Sequence, residues 1–278
     1  VTVFRPSTAR LDESRVFSAA GPFAERRMLL SLGLVACAAA LLLSCAPQRV
    51  GRDGRALPWS YARQLVLVTT PDWNSSNGTL QTYAGDARRW HAVGAARPVA
   101  IGRSGAAWGL GLHPIQTGPV KQEGDGRSPA GVFTIGTTFG YAPSEPTSLP
   151  YAALNAGDFC IDDSGSPLYN RIVDAGKVGT AAVAGSTEPM RRDLHENGDQ
   201  AYKIEFVIEH NAHGVAGAGS CIFAHLWKSP ESSTAGCTAM AEPVMRTLLG
   251  WLRPDAHPVF VLLPENEYQR LRVAWQLP

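Results

Sequence analysis

Short runs of branched and aromatic residues, each closed off by Gly, Pro, Asn or Asp, recur along this chain and confine it to a fold built from many brief strands. QLVLVTT (64–70), RPVAIGR (97–103), GVFTIGTTFG (131–140), YKIEFVIEHN (202–211) and GSCIFAHLW (219–227) are such runs. Side chains of these types fit a pleated, half-buried surface, and the bounding residues supply the turns. With 28 glycines and 20 prolines in 278 residues, the chain is too rich in turn formers for a helical protein. One helix interrupts the pattern near the end. Pro243 stands where a first-turn proline does no harm, and Val244, Leu248 and Leu252 recur at four-residue steps along one face. HPVFVLLP (257–264) then reads as a closing strand. The expected fold class is therefore mostly β (α+β) with few short helices, in one domain over residues 61–278.

Composition narrows the class of partner. A 45% hydrophobic, 18% charged chain of this length can bury a real core and is not disordered. Its 25 basic residues face 24 acidic ones, so no global field favours nucleic acid.

The N-terminal part reads as an address. Arg26 and Arg27 precede MLLSLGLVACAAALLLSC (28–45), an uncharged run with the layout of a bacterial export signal. Its end, Leu42-Leu43-Ser44-Cys45, resembles the lipobox of bacterial lipoproteins, which implies that Cys45 is acylated and becomes the first mature residue. Cys37 fits the same pattern, but processing there would leave AAALLLS exposed, so Cys45 is preferred. The plain alternative is an uncleaved membrane anchor, for which the run is near the lower limit of length. Arg26-Arg27 also makes a poor match to a twin-arginine signal. Either route places the domain on the periplasmic side of a cell envelope. Residues 1–27 are expected to be an over-extended start, and the polar stretch 46–60 a tether.

Chemistry concentrates in IFAHLWKSPESSTAGCTAM (222–240), where a strand delivers His225, a loop follows, and Cys237 precedes the helix. A nucleophilic thiol needs a base within reach and N–H donors for the oxyanion it creates. Gly236 permits close backbone approach, so the N–H groups of Gly236 and Cys237 are the candidate donors. A His–Cys spacing of 12 also arises by chance, which leaves a buried structural thiol and a core histidine as the competing readings.

The stretch resembles the active-site segment of the L,D-transpeptidases, in which a histidine on a strand is followed, after a loop, by a Ser/Thr-x-Gly-Cys turn. His225 matches the general base, Cys237 the nucleophile, and Thr234 and Gly236 the Ser/Thr and Gly. KQEGDGRSPAGVFTIG (121–136) resembles the family's glycine-rich strand entry, while 160–174 and 209–227 resemble its middle and pre-catalytic segments. The likeness runs from about 64 to 264 and implies a β-sandwich or barrel-like catalytic domain. Ala235 and Ala239 stand where many members carry His and Arg, and the loop after His225 is shorter, which marks a divergent branch with altered recognition.

The resemblance implies acyl transfer through a thioester on Cys237, acting on peptidoglycan stem peptides in cell-wall biogenesis and cell shape, with no cofactor or metal. It also implies acylation by carbapenem-type inhibitors. A carboxypeptidase or amidase-type cysteine hydrolase on the same scaffold is one alternative; an inactive envelope lipoprotein that binds wall glycopeptide is another.

Other residues carry weaker signals. Of the pairings open to Cys160, Cys221 and Cys237 in an oxidising compartment, only Cys160–Cys221 leaves Cys237 free, and it would brace the strand of His225. Glu209, His210 and His213 invite a zinc reading but lack a helical context, so a loop role is favoured. Asp162, Asp163 and Asp174 are too dispersed for paired-carboxylate chemistry and read as turn residues. Tyr169 and Asn170 are candidates for shaping the donor pocket. Trp73, Trp90, Trp108 and Trp251 read as packing, and Asn74-Ser75-Ser76 matches a glycosylation acceptor by letter only.

Overall fold

A computed structural model describes residues 56–85 and 89–278. The export run, Cys37, Cys45 and most of the proposed tether lie outside these residues. No helix among the described residues is long and apolar enough to cross a membrane.

Strands β1 (Gln64–Thr70), β2 (Asn77–Gly85) and β3 (Trp90–Ala100) form an antiparallel meander, followed by the short β4 (Ala106–Trp108) and the long β5 (Ser128–Gly140). Next come β6 (Tyr151–Ala153), β7 (Asp158–Cys160), β8 (Ile172–Asp174), α1 (Ala175–Val178), β9 (Glu188–Pro189) and α2 (Arg192–His195). The chain continues through β10 (Ile204–Ile208), β11 (Phe223–Leu226), β12 (Thr238–Met240), α3 (Glu242–Trp251), β13 (Val259–Pro264) and α4 (Glu265–Leu271).

Hydrogen bonding runs β10-β11-β12-β3-β2-β1-β13-β5, and β5 pairs back with β10, closing an 8-strand barrel to which β4 and β6 attach through β5. Closure leaves the ring without terminal edges, which resolves the unpaired-backbone problem of an open sheet. Two ring pairs are parallel, β1 with β13 and β11 with β12. β13 is buried along its whole length, and in β1 only Thr69 is partly exposed. Strands covered on both faces read as continuous apolar runs, which is why QLVLVTT and VFVLLP do not alternate. Here α4 packs against β1 and β13 from outside, while α3 packs against β10 and β11.

The structure corrects several expectations. The tether ends sooner than residue 60: Trp59 is 2% exposed, donates its indole N–H to the Trp275 carbonyl at 3.0 Å, and belongs to the main core. The buried stripe of α3 is Met245, Leu248 and Leu249, continued by Leu252 just past its end, while Val244 is only half-buried. True helical spacing of 3.6 residues, not a four-residue step, selects these positions. The strand 259–264 is not the last element, since α4 follows it; ENEYQRL buries only Leu271, so its pattern gives little helical signal.

A smaller sheet, ordered β8-β7-β9, forms a cap with α1 and α2. It shares a second hydrophobic cluster with the barrel, in which Leu154, Met190, Tyr202 and Phe223 surround Cys160, Cys221 and Cys237.

Candidate functional site

The site grows from the parallel pairing of β11 and β12, where Ala224 faces Thr238 and His225 faces Ala239. Side chains alternate across a strand, so Ala224 and Leu226 enter the main core while Phe223 and His225 point the other way. Cys237 lies at the entry to β12, beside Phe223, whose backbone N–H donates to Cys237 Sγ at 3.3 Å. The thiol in turn donates to the Cys221 carbonyl at 3.5 Å. It is buried, and it is the only free cysteine among the described residues.

His225 and Cys237 line one cavity of about 420 Å³. In the resting structure no hydrogen bond joins them among the described contacts. His225 Nδ1 lies 2.8 Å from the Leu226 carbonyl, an oxygen that can only accept, so Nδ1 carries the proton and Nε2 keeps its lone pair. Burial pushes the imidazole down to about 4. Burial also pushes the Cys237 thiol well up, and the neighbouring Glu188 carboxyl adds to it. The resting pair is therefore a neutral thiol and a neutral imidazole, not a preformed ion pair. Tyr202 fixes the imidazole plane by standing edge-on to it, centroids 5.3 Å apart, and it packs on Phe223 in the same way.

The turn before the thiol is braced by hydroxyls. Thr234 Oγ1 donates to the Cys237 carbonyl at 2.7 Å, and Ser128 Oγ donates to the same carbonyl at 3.0 Å. Ser128 also accepts from the Gly102 N–H at 2.9 Å, so the motif entering β5 reaches across the barrel to hold the nucleophile's backbone. The expected pair of oxyanion donors is corrected here. The Gly236 N–H is given to Thr234 Oγ1 at 3.1 Å, which leaves the Cys237 N–H as the donor without an acceptor among the described residues. A Cβ at position 236 would come 3.1 Å from the Arg127 carbonyl, so tight backbone packing as well as substrate approach favours glycine there.

The cap supplies the cavity's far wall. Arg192 pairs with Asp199 at 3.1 Å and with Glu188 at 3.5 Å, and lies 5.3 Å over the Tyr202 ring. Tyr202 donates its hydroxyl to Glu188 at 2.6 Å. Glu188 is held above the usual carboxylate range, chiefly by burial.

Cys160 and Cys221 are joined by a disulfide, which ties β7 of the cap to the segment ahead of β11. Cys221 is not on the strand of His225 as expected. It precedes β11 with φ +55, in the left-handed region. That backbone is pinned by Asn170, whose Oδ1 accepts from the Cys221 N–H at 2.9 Å. Tyr169 and Asn170 thus buttress the segment 210–221 instead of lining the cavity: the Tyr169 hydroxyl donates to Glu123 and accepts from the Gly219 N–H at 3.1 Å.

The remaining singled-out residues have local duties. His210 is buried with both ring nitrogens committed, Nδ1 accepting from the Leu110 N–H at 3.1 Å and Nε2 donating to Ala218 at 2.9 Å, which leaves no lone pair for zinc. His213 is exposed. Asp162 bonds Thr187, Asp163 closes the turn at Gly165, and Asp174 caps α1. Trp108 packs edge-on against Trp73 and Trp275. Sequence reasoning overlooked Ser128, Glu188, Arg192 and Tyr202. Ser128 had a usable signal, since it sits inside the glycine-rich segment 121–136.

No protein-family model, curated protein or solved structure matches this chain.

Proposed function

We propose that this protein is a cysteine acyltransferase of the L,D-transpeptidase type, acting on peptidoglycan stem peptides. The observation that carries the reading is the free thiol of Cys237 on the same strand-pair face as His225, whose proton is fixed on Nδ1 by the Leu226 carbonyl. In this scheme the thiol turns from the Cys221 carbonyl toward His225 Nε2 and gives up its proton as sulfur attacks the substrate carbonyl. The oxyanion meets the Cys237 N–H. The imidazolium returns the proton to the departing amine of a D-amino acid, leaving a thioester on sulfur. A second stem's amine then attacks, forming the new amide bond and restoring the thiol.

The Cys160–Cys221 bridge accords with an oxidising compartment, and the proposed location is the periplasmic side of the envelope, anchored through Cys45. The test is incubation of the purified protein with disaccharide-tetrapeptide muropeptides, read by mass spectrometry. A cross-linked dimer with release of a D-amino acid is expected, absent in Cys237→Ala. A shortened monomer alone would move the assignment to a hydrolase, and unchanged muropeptides together with no carbapenem adduct on Cys237 would reject acyl chemistry.

A further inference from the structure

The cations around the cavity are matched by carboxylates, with one exception among the described residues. Lys121 is buried against Asp125 at 2.6 Å, Arg192 pairs with Asp199, and Lys228 reaches the same Asp199 at 3.4 Å. Arg103 also lines the cavity and is exposed, yet its guanidinium has no carboxylate or carbonyl partner among the described residues. None of the cavity's carboxylates pairs with it: Glu123 accepts from Tyr169 and from Ser220 at 2.6 Å, and Asp162 is held by Thr187.

The position of Arg103 is built. Its backbone N–H donates to the Thr234 carbonyl at 2.8 Å, and Gly102 bridges to Thr234, so the backbone of Arg103 is fixed against the residue three positions ahead of Cys237. Its side chain lies along Gly126, where a Cβ would come 3.1 Å from Arg103 Cγ and Cζ; Gly126, at φ +70, leaves that track open. A guanidinium carried on an anchored backbone, lining the same cavity as the thiol and left without an ion-pair partner, is suited to bidentate capture of a planar anion.

We propose that Arg103 is a specificity-determining residue that receives a carboxylate of the peptide substrate. This deepens the acyl-transfer reading and rests on it for the identity of the peptide. Two carboxylates could serve, the C-terminal one of the leaving residue or one within the stem, and amidating each in turn separates them.

The test uses Cys237→Ala, which binds without turnover, and measures affinity for a stem tetrapeptide as free acid, as C-terminal amide, and with its internal carboxylate amidated. One amidated form is expected to bind about tenfold more weakly than the acid, the scale of a hydrogen-bonded charge pair. Arg103→Gln in the same background is expected to bind all three alike, at the weaker level, and Arg103→Lys to keep part of the preference. A preference that survives Arg103→Gln overturns the proposal, as does an absence of binding by every form. If muropeptides are not turned over by the intact protein while the Arg103-dependent preference is present, the acyl-transfer reading fails and the carboxylate site stands.

Discussion

At the scale of single residues, the orientation of one imidazole decides the chemistry. Because the Leu226 carbonyl holds the proton on Nδ1 and burial depresses His225 to about 4, the ring remains a competent base across the neutral and mildly acidic range. A base acts in its unprotonated form, so the acid limb of Cys237 acylation is expected near pH 4 and not near the ordinary histidine value. Stopped-flow or mass-spectrometric acylation rates against pH check this, and a limb near 6.5 would contradict it. His225→Ala is expected to slow acylation about 10²–10⁴-fold. Cys237 and His225 were legible in the sequence because a strand, a flexible loop and a Gly-Cys turn leave a local signature. Tyr202 and Glu188 were not, since their contacts with the site join residues far apart in the chain and depend on how the cap closes.

At the scale of elements, the cap is held to the barrel by the Cys160–Cys221 bridge, and that bridge also supports the carbonyl that the thiol contacts. Opening a loop of 61 residues is expected to cost roughly 4 kcal/mol of stability on chain-entropy grounds. Replacing both cysteines with serine should therefore lower the unfolding free energy by about that much in denaturant titration. Acylation should fall as well, because position 221 then keeps the Asn170 hydrogen bond but loses its covalent tie to the cap, which loosens the carbonyl that the thiol contacts. The pairing itself was open to the sequence, as it alone spared Cys237. The left-handed backbone was not, because Asn170, which anchors it, lies 51 positions away. The strands read correctly were those with unbroken apolar runs, such as β1 and β13. The strand β2 was missed because NGTLQTYAG fully buries only Leu80.

Across the whole molecule, the barrel carries one internal conflict. Glu205 on β10 is fully buried, and neither carboxyl oxygen has a hydrogen-bond partner. Burial holds it protonated, far above the carboxylate range, with Glu188 reinforcing the shift and Arg192 opposing it. A folded-state value above the unfolded one means that this group's contribution to stability is complete below about 4.5 and lost as pH rises through the folded value. Glu205→Gln removes the ionisable proton, so its melting temperature relative to the native protein should climb steadily from pH 5 to pH 9. Parallel melting curves would refute the assignment. Overall, the β class was legible from turn-bounded runs, whereas closure of the ring was not, because the β5–β10 pairing leaves no mark in either segment alone. The placement of β13 has a temporal consequence. The last ring strand to leave the ribosome sits between β1 and β5, so a nascent chain halted before residue 259 has a gap where its wall should be. Such truncated chains should be digested readily by protease until those final residues emerge and the cylinder can shut.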